Sequence, residues 1–457
     1  MIRPIHITTA LGPALALLVF WLLNTPEQDS AIAFTAAITI WTAVWWIFEP
    51  IPIPATSLLP LALFPAVGVL TPTEVGAAYG SPLVLLLMGG FILSTAMERS
   101  GAHRRVALTM VNLFGGSSSK RLVFGFMAAA ALLSMWISNT ATTLMLLPVA
   151  MAVLEKVPDK KLAIPLLLGI AYASSIGGIG TPIGTPPNLV FQQVYAETVG
   201  SEIGFLTWMS WGVPVVLIFV PITALWLTRG LDYQGSFILP AVGTWQSAER
   251  RVLIVFALTA LAWVTRSQPF GGWSTFLNVP GINDAGVAML AVVVMFLVPD
   301  GRGERLLNWE SAAKIPWGML ILFGGGIAIA KAFVASGLSQ QLGIWLTQLA
   351  TLDLFLLILA ICLTITFMTE ITSNTATTTL MLPILAAAAL AAEIPPEILM
   401  VPAAMSASCA FMLPVATAPN TIMFSTGAFP IRTMVKEGLA LNLIGALLIT
   451  SACRLLI

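Results

Sequence analysis

The sequence predicts an all-α polytopic membrane protein, with about 11 transmembrane helices plus two re-entrant helical hairpins, built from inverted repeats with broken helices. Three observations predict this class. The 457 residues are 58% hydrophobic and 9% charged, with a mean hydropathy of +0.96, whereas soluble domains carry about 25% charged residues. Apolar stretches of about 18 or more residues recur along the chain. A polar hexapeptide, SNTATT, begins at Ser138 and again at Ser373, 235 positions later.

The apolar stretches divide the chain into an N-terminal helix within 1–30 and two similar halves, 31–230 and 231–457. The first stretch has no convincing small-residue cleavage site, so we expect it to be a retained helix. Each half is expected to contain scaffold helices, then a hairpin and a broken helix. These lie within 31–115 and 120–195 in the first half, and within 250–340 and 353–428 in the second. The predicted segments are 7–23, 31–48, 55–70, 81–98, 121–154, 162–195, 206–228, 250–266, 283–299, 316–335, 354–392, 398–428 and 437–456.

The two hairpins, 121–154 and 354–392, are too long for one tilted helix and hold the hexapeptide near their middle. We therefore expect each to enter and leave the membrane on the same side. Ser134 and Thr369 stand four residues before the two hexapeptide serines, a spacing that predicts one shared helical face.

Basic residues predict the orientation of the chain. With the N-terminus in the cytoplasm and the C-terminus outside, nearly all Lys and Arg fall in inner connections, as the positive-inside rule requires. The basic segment from Arg99 to Arg121 is then a sidedness signal or a contact with membrane lipid. The inner set is Arg3, Arg99, Arg104, Arg105, Lys120, Arg121, Lys156, Lys160, Lys161, Arg229, Arg250, Arg251, Arg302, Arg305, Lys314, Arg432 and Lys436, while Arg266, Lys331 and Arg454 lie elsewhere. Outer connections carry acidic residues such as Glu27, Glu197 and Glu202.

The hexapeptide belongs to a longer internal duplication. GGFILSTAMERSG (89–101) resembles GGIAIAKAFVASG (325–337), and GTPPN (184–188) resembles ATAPN (416–420), in the same order and at nearly the same offset. An odd number of crossings separates the two units, so the second is expected to be upside down. Inverted repeats with interrupted helices are typical of transporters, with the binding site where the repeats meet.

Each unit offers a neutral set of oxygen ligands. The segments GGIGTPIGTPPN (177–188) and PVATAPN (414–420) are too rich in Gly and Pro to stay helical. Unwound backbone at membrane depth must line a cavity or lie inside protein, where its carbonyls can bind a cation and the following helix N-terminus can face an anion. The hairpin tips add hydroxyls and a carboxamide. Since Ca²⁺ and Mg²⁺ sites recruit carboxylates, a monovalent cation such as Na⁺ fits better, and the alternative is that the tips only pack together.

These paired motifs resemble those of the divalent anion–sodium symporter (DASS) family, and especially its bacterial INDY-type dicarboxylate transporters. The resemblance covers nearly the whole chain. It implies sodium-coupled symport of C4 dicarboxylates (succinate, malate, fumarate) into the cell, across the bacterial inner membrane. It also implies a homodimer in which a transport domain moves against a scaffold as an elevator.

The resemblance also implies roles for individual residues. Sodium site 1 would use Ser134, Ser138, Asn139 and the carbonyl of Gly184, and sodium site 2 would use Thr369, Ser373, Asn374 and the carbonyl of Ala416. Substrate carboxylates would meet Asn139 and Thr140 at one end and Asn374 and Thr375 at the other, with Thr185 and Thr417 beside the breaks. Ala418 departs from the family, since many relatives have proline there, as this chain does at Pro186.

Other functions remain open at this point. The motifs do not separate a dicarboxylate symporter from a citrate or other divalent-anion carrier, or from an exchanger. Glu370, inside the second hairpin, is either a proton carrier or a structural acceptor, and Lys331 either pairs with an acidic group or extends to the interface. The sequence has no HExxH or GxxxxGK[ST] motif, so neither an enzyme nor an organic cofactor is expected. A net charge of zero argues against a nucleic-acid partner.

Overall fold

The computed structural model describes residues 4–26, 29–114, 118–157, 160–232, 237, 241–267, 271–346 and 353–457. Within these ranges the chain is predominantly α-helical and forms no strand, and Pro299 and Arg305 form an isolated bridge. The predicted all-α class is confirmed. Arg3 and Glu27, both used to predict sidedness, lie outside the described residues.

The helices of the first half include one hairpin (α8 and α9) and one broken helix (α10 and α11). They are α1 (Pro4–Leu23), α2 (Ser30–Phe48), α3 (Ile53–Thr56), α4 (Leu59–Ala66), α5 (Pro72–Tyr79), α6 (Pro82–Ser100), α7 (Ala102–Phe114), α8 (Ser119–Ser134), α9 (Asn139–Leu154), α10 (Ala163–Gly178), α11 (Pro186–Val199) and α12 (Phe205–Leu227). Proline begins α5, α6 and α11, where its missing N–H has no intrahelical partner to lose.

The second half repeats this order, with α19 and α20 as its hairpin and α21 and α22 as its broken helix. Its helices are α13 (Ser247–Val264), α14 (Gly272–Phe276), α15 (Asp284–Leu297), α16 (Trp309–Ala312), α17 (Trp317–Ala335), α18 (Leu338–Leu346), α19 (Leu354–Thr369), α20 (Asn374–Ala391), α21 (Pro396–Ser406), α22 (Ala418–Phe424) and α23 (Ile431–Leu456).

Several helical stretches are suited to a lipid bilayer. Among the described residues, six are long and apolar enough to cross a membrane, and six shorter apolar helices accompany them. The long stretches are Ser30–Phe48, Pro72–Ser100, Phe205–Leu227, Trp317–Ala335, Asn374–Ala391 and Ile431–Leu456. Large apolar side chains such as Trp21, Leu217 and Leu455 are exposed, as expected where lipid rather than water covers the protein.

The hairpin tips correct one prediction. The first arm of each hairpin ends at Ser134 or Thr369, and the second begins at Asn139 or Asn374. Ser138 and Ser373 are the N-caps of the second arms, each accepting a hydrogen bond of 3.1 Å from the amide three residues later. The expected shared helical face of Ser134 with Ser138, and of Thr369 with Ser373, is therefore wrong. The cause is the preference of serine for the N-cap position. Each of these serines begins the second arm of its hairpin as a new helix, so the first arm does not continue through it.

Two other segments differ from the sequence-based expectation. The basic connection after Arg99 contains a helix, α7, whose polar residues lie on one side; it was not predicted because it is amphipathic rather than apolar. The predicted span 55–70 is divided into α3 and α4, with Ser57 at the interruption. The Ser57 hydroxyl donates to the Ile53 carbonyl (2.8 Å) and accepts from the Trp46 indole (2.9 Å), so the interruption is hydrogen-bonded.

The two halves interlock through their hairpins and broken helices. The second arm of the first hairpin, α9, packs against α22 of the second half. The second arm of the other hairpin, α20, packs against α11 of the first half. Within each half the first arm of the hairpin packs against the first part of the broken helix, α8 with α10 and α19 with α21. Each hairpin tip therefore faces both breaks.

Charged residues gather at the two ends of α6, which are separated by about 28 Å at 1.5 Å per residue. At its C-terminal end Arg99 pairs with Glu304, and Arg105 of α7 pairs with Glu249 at 2.7 Å. At its N-terminal end a small cavity beside Ser81 is lined by Glu197 and Lys331. Arg99 and Arg105, both assigned to inner connections, thus lie at one end of α6, and Glu197, assigned to an outer connection, lies at the other.

Candidate functional site

A cavity of about 730 Å³ lies where the hairpin tips meet the breaks. One side is formed by residues of helices outside the hairpins and broken helices, including Pro54 of α3, Phe91 of α6 and Met319 of α17. The other side is formed by both hexapeptides and both breaks. Ten of the residues predicted for the site line it, namely Ser138, Asn139, Thr140, Gly184, Thr185, Ser373, Asn374, Thr375, Ala416 and Thr417. The remaining two, Ser134 and Thr369, are buried behind the tips.

Three well-formed helices begin at the cavity wall. Asn139 and Thr140 start α9, Asn374 and Thr375 start α20, and Thr185 is the N-cap of α11. The first N–H groups of a helix have no intrahelical acceptor and give that end a partial positive charge. No Lys, Arg, Asp, Glu or His lines the cavity among the described residues. The cavity is therefore uncharged but is surrounded by dipoles that favour an anion.

In the first half, the carboxamide of Asn139 and the carbonyl of Gly184 converge beside Gly178. The Ser134 hydroxyl donates to Asn139 Oδ1. A Cβ placed on Gly178 would lie 3.0 Å from Asn139 Oδ1, 3.1 Å from the Gly184 carbonyl oxygen and 3.1 Å from Thr185 Cβ. The absence of that carbon leaves a small space bordered by two oxygens from different chain segments, which suits a cation bound without a carboxylate.

In the second half, a hydroxyl again donates to the carboxamide of the hairpin asparagine. The Thr369 hydroxyl donates to Asn374 Oδ1 at 2.6 Å and also lies 3.1 Å from the Ala407 carbonyl oxygen. Thr369 and Asn374 thus stand where Ser134 and Asn139 stand in the first half. Ala416, whose carbonyl was predicted as a ligand, is buried and ends a short 3-10 turn at Pro414–Ala416.

Two asparagines that the sequence analysis left without a role hold the breaks together. Asn188 Nδ2 donates to the carbonyls of Gly178 (2.9 Å) and Thr181 (2.7 Å). Asn420 Nδ2 donates to the carbonyls of Ala410 (2.9 Å) and Leu413 (3.0 Å). Both are fully buried. They are the last residues of the GTPPN and ATAPN repeats, so the duplication itself was the signal that could have identified them.

Aromatic side chains satisfy one further carbonyl in each break. Trp208 Nε1 donates to the Ile179 carbonyl (2.8 Å), and the Tyr172 hydroxyl donates to the Phe411 carbonyl (2.8 Å). Ile179 and Phe411 are separated by the same offset as Asn188 and Asn420. Buried carbonyls without a partner are costly, and these bonds explain how unwound backbone is stable inside the protein.

Glu370 is a buried acceptor. Its carboxylate accepts hydrogen bonds from the amides of Met412 (2.8 Å) and Leu413 (2.9 Å) and from Asn442 Nδ2 (2.7 Å). All three groups belong to the second break or to α23. This geometry favours the structural alternative for Glu370. Lys331, the other charged residue left open, has its ammonium group 3.5 Å from a carboxylate oxygen of Glu197.

The sequence of the chain is similar to those of known transporters. The citrate transporter family matches residues 43–401 of the chain. The sodium-dependent dicarboxylate transporter SdcS of Staphylococcus saprophyticus is 41% identical, over 96% of this chain and 89% of that protein. SdcS of Staphylococcus aureus is 40% identical, over 96% of this chain and 88% of that protein.

Among solved structures, the Alcanivorax borkumensis YdaH transporter is similar in fold. The TM-score is 0.62 over 92% of this chain and 98% of that one, at 16% sequence identity. This similarity supports the all-helical architecture and concerns the fold alone.

Proposed function

Because the chain belongs to the citrate transporter family, we propose that it is a secondary active transporter that carries C4 dicarboxylates into the cell together with Na⁺. The relatives named sodium-dependent dicarboxylate transporter, 40–41% identical over nearly the whole chain, support this substrate and this coupling ion. The chain is a transporter and not an enzyme, and it is a multi-pass membrane protein.

One observation carries the proposal. Two matched hairpin tips and two matched breaks bring carboxamides, hydroxyls and helix N-termini into a single cavity without a charged side chain. A dicarboxylate has two similar ends, and the cavity offers Asn139 with Thr140 for one and Asn374 with Thr375 for the other. We assign these residues to the substrate, with Thr185 and Thr417 beside them.

The two oxygen sets behind the cavity are assigned to Na⁺. Site 1 comprises Ser134, Ser138, Asn139 and the Gly184 carbonyl. Site 2 comprises Thr369, Ser373, Asn374 and the Ala416 carbonyl. Each combines neutral oxygens from a hairpin and from a break, as a weakly held monovalent cation requires. The hydroxyl of Ser138 and that of Ser373 also cap helices, so each keeps a lone pair for an ion.

Coupling follows from electrostatics. A dianion in a cavity of low dielectric needs compensating positive charge, and among the residues that the structure describes no side chain lining this cavity supplies it. Na⁺ at the two sites, together with the helix N-termini, would provide that charge next to each carboxylate. Cations are therefore expected to bind first and to prepare the cavity for the anion.

We further propose an elevator mechanism in a homodimer, with the N-terminus in the cytoplasm and the C-terminus outside. The moving part comprises the hairpins and broken helices, 120–195 and 353–428, and the scaffold comprises helices within 31–115 and 250–340. The position of the cavity between scaffold residues and hairpin tips supports this division. The gathering of inner-connection arginines at one end of α6 supports the orientation.

The test is uptake of radiolabelled succinate by the purified protein in liposomes. An inward Na⁺ gradient is compared with K⁺ and with a pH gradient alone. Asn139→Ala and Asn374→Ala are each expected to reduce Na⁺-driven uptake about tenfold or more, since each removes a ligand shared by ion and substrate. Asn112→Ala is the matched control, because Asn112 lies on α7, outside the lining of the cavity, and its Nδ2 donates to the Leu108 carbonyl (2.7 Å). Uptake driven by pH alone would contradict sodium coupling.

A second candidate substrate is citrate, favoured by the description of the family that the chain matches. Citrate has a third carboxylate, and the cavity of about 730 Å³ has room for it. Unlabelled citrate is therefore included as a competitor. Uptake of citrate without uptake of succinate would identify citrate as the substrate. The assignment of the same cavity to the substrate would still hold.

A further inference from the structure

Each hairpin tip is tied to the break that faces it by one buried side chain. In the first half the Thr181 hydroxyl, in the break, donates to the carbonyl of Met135, in the hairpin. In the second half the Glu370 carboxylate, in the hairpin, accepts from the amides of Met412 and Leu413, in the break. Thr181 is fully buried and Glu370 is 3% exposed.

These two ties occupy equivalent places in the two halves. Met135 and Glu370 are each the C-cap residue that follows the first arm of a hairpin. Thr181 and Leu413 each stand three residues before the predicted ligand carbonyl, that of Gly184 or Ala416. In both halves the break donates and the hairpin accepts; the side chain of the tie belongs to the break in the first half (Thr181) and to the hairpin in the second (Glu370). The same two segments are joined in both cases.

The joined segments are the two sources of each cation site. Site 1 takes Asn139 from the hairpin and Gly184 from the break, and site 2 takes Asn374 and Ala416. Each hairpin ligand stands at the start of a helix and each break ligand stands in an interruption between helices, so the relative position of their oxygens depends on contacts between the segments. A site whose ligands are already held in place loses less entropy when an ion binds.

We propose that Thr181 and Glu370 are positioning residues that hold the two halves of each sodium site at binding distance. This proposal rests on the proposed function, because it concerns the sodium sites assigned above. The tie at Glu370 is the stronger of the two. It comprises two amide hydrogen bonds to a carboxylate and a third bond from Asn442 of α23, whereas Thr181 contributes one neutral bond. Hydrogen bonds to charged groups contribute more than neutral ones.

The experiment compares four variants with the wild type. Thr181→Val removes the hydroxyl at nearly constant volume, and Thr181→Ser retains it. Glu370→Gln removes the charge and one acceptor, and Glu370→Asp retracts both oxygens by one methylene. The control is Thr259→Val, which removes a buried hydroxyl bonded to Val255 within scaffold helix α13. Half-saturating Na⁺ is measured at saturating succinate, the succinate KM at saturating Na⁺, and the rise of melting temperature that Na⁺ alone causes in detergent.

We expect Thr181→Val to raise the half-saturating Na⁺ concentration about fivefold and Glu370→Gln to raise it about tenfold or more. Both should reduce the Na⁺-induced rise in melting temperature. The KM at saturating Na⁺ should stay within about twofold of wild type, since the substrate ligands are unchanged. Thr181→Ser and Thr259→Val should match the wild type.

A purely structural role predicts a different outcome. If Thr181→Val and Glu370→Gln lower the maximal rate or the basal stability while half-saturating Na⁺ stays at the wild-type value, the proposal is overturned. If Glu370→Gln does not fold, the Glu370→Asp variant tests the role of Glu370 instead. A half-saturating Na⁺ concentration equal to that of the wild type in Glu370→Asp would overturn that role. A wild type that shows neither Na⁺-driven uptake nor stabilisation by Na⁺ would instead contradict the proposed function, whatever the variants do.

Discussion

At the scale of single residues, Gly178 distinguishes the two proposed sodium sites. Its missing Cβ leaves the space between Asn139 Oδ1 and the Gly184 carbonyl. The second half has Ala410 at the equivalent offset, fully buried and with its carbonyl bonded to Asn420. One half therefore requires glycine at this position, while the other already accommodates a methyl group.

We expect Gly178→Ala to weaken Na⁺ binding at site 1. The added carbon would lie 3.0–3.1 Å from both oxygens, closer than ordinary van der Waals contact, so the oxygens must separate. The half-saturating Na⁺ concentration for succinate uptake should rise about fivefold or more, in line with the roughly 1–3 kcal/mol cost of overpacking. Ala410→Gly is the control, expected within about twofold of wild type. Equal effects of both variants would contradict the special place of Gly178.

The residues of the site were partly predictable from the sequence. The hexapeptide repeat identified Asn139, Thr140, Asn374 and Thr375, and all four line the cavity. The roles of Asn188 and Gly178 were not predictable, because they depend on which carbonyls an unwound segment leaves exposed and on the direction from which Asn139 approaches. A repeated motif shows which residues share a role but does not show their partners.

At the scale of elements, each broken helix is approached closely by the helix that follows it. A Cβ on Gly212 of α12 would clash with the Ile179 carbonyl, and a Cβ on Gly438 of α23 would clash with the Phe411 carbonyl. Those are the carbonyls to which Trp208 and Tyr172 donate. Two helices therefore pack directly on unwound backbone, at the same place in each half.

Gly212→Ala and Gly438→Ala should both destabilise the protein and reduce uptake. The clashing atoms are backbone, which cannot turn aside as a side chain can, so each change should cost roughly 1–3 kcal/mol. The measurement is the thermal midpoint of the purified protein. Gly76→Ala is the control, since nothing lies within 4 Å of the added carbon in α5, and alanine stabilises a helix relative to glycine. A midpoint for Gly212→Ala equal to that of Gly76→Ala would contradict close packing on the break.

The helices that consist of long apolar runs could be predicted from the sequence, and a helix without such a run was missed. Long apolar runs predicted α2, α12 and α17 closely, but α7 is amphipathic and was taken for a connection. Within each hairpin, the four-residue spacing predicted one continuous helical face. Instead, the serine at the start of the hexapeptide is the N-cap of a second helix, so each hairpin is divided there. Capping preferences act over a few residues and outweigh periodicity at such sites.

At the scale of the whole molecule, Lys331 and Glu197 lie where the two proposed parts meet. Lys331 belongs to α17, in the proposed scaffold, and Glu197 belongs to the last turn of α11, the helix that the proposed moving part includes up to residue 195. Their charged atoms are 3.5 Å apart and about one quarter exposed. An ion pair of that exposure contributes little stability. Its charged groups are close together in this conformation, and a movement of one proposed part against the other would separate them.

If the two parts move against each other, joining them at this point should stop transport. Lys331→Cys with Glu197→Cys, cross-linked by a bifunctional thiol reagent, is expected to lose succinate uptake in liposomes. The native cysteines Cys362, Cys409 and Cys453 are buried and should react little. The control joins Arg99→Cys to Glu304→Cys, a pair within the scaffold, and should retain uptake. Full uptake by the cross-linked first pair would contradict the elevator mechanism.

The matched tips that enclose the cavity also limit what it can recognise. Asn139 with Thr140 at one end and Asn374 with Thr375 at the other present the same groups, so a four-carbon diacid meets equivalent partners whichever way round it enters. Inverted repeats are related by a rotation, which exchanges the two ends of a diacid without converting it into its mirror image. The proposed site is therefore expected to accept either end of a diacid in either position, while mirror-image forms of one diacid still meet different surroundings.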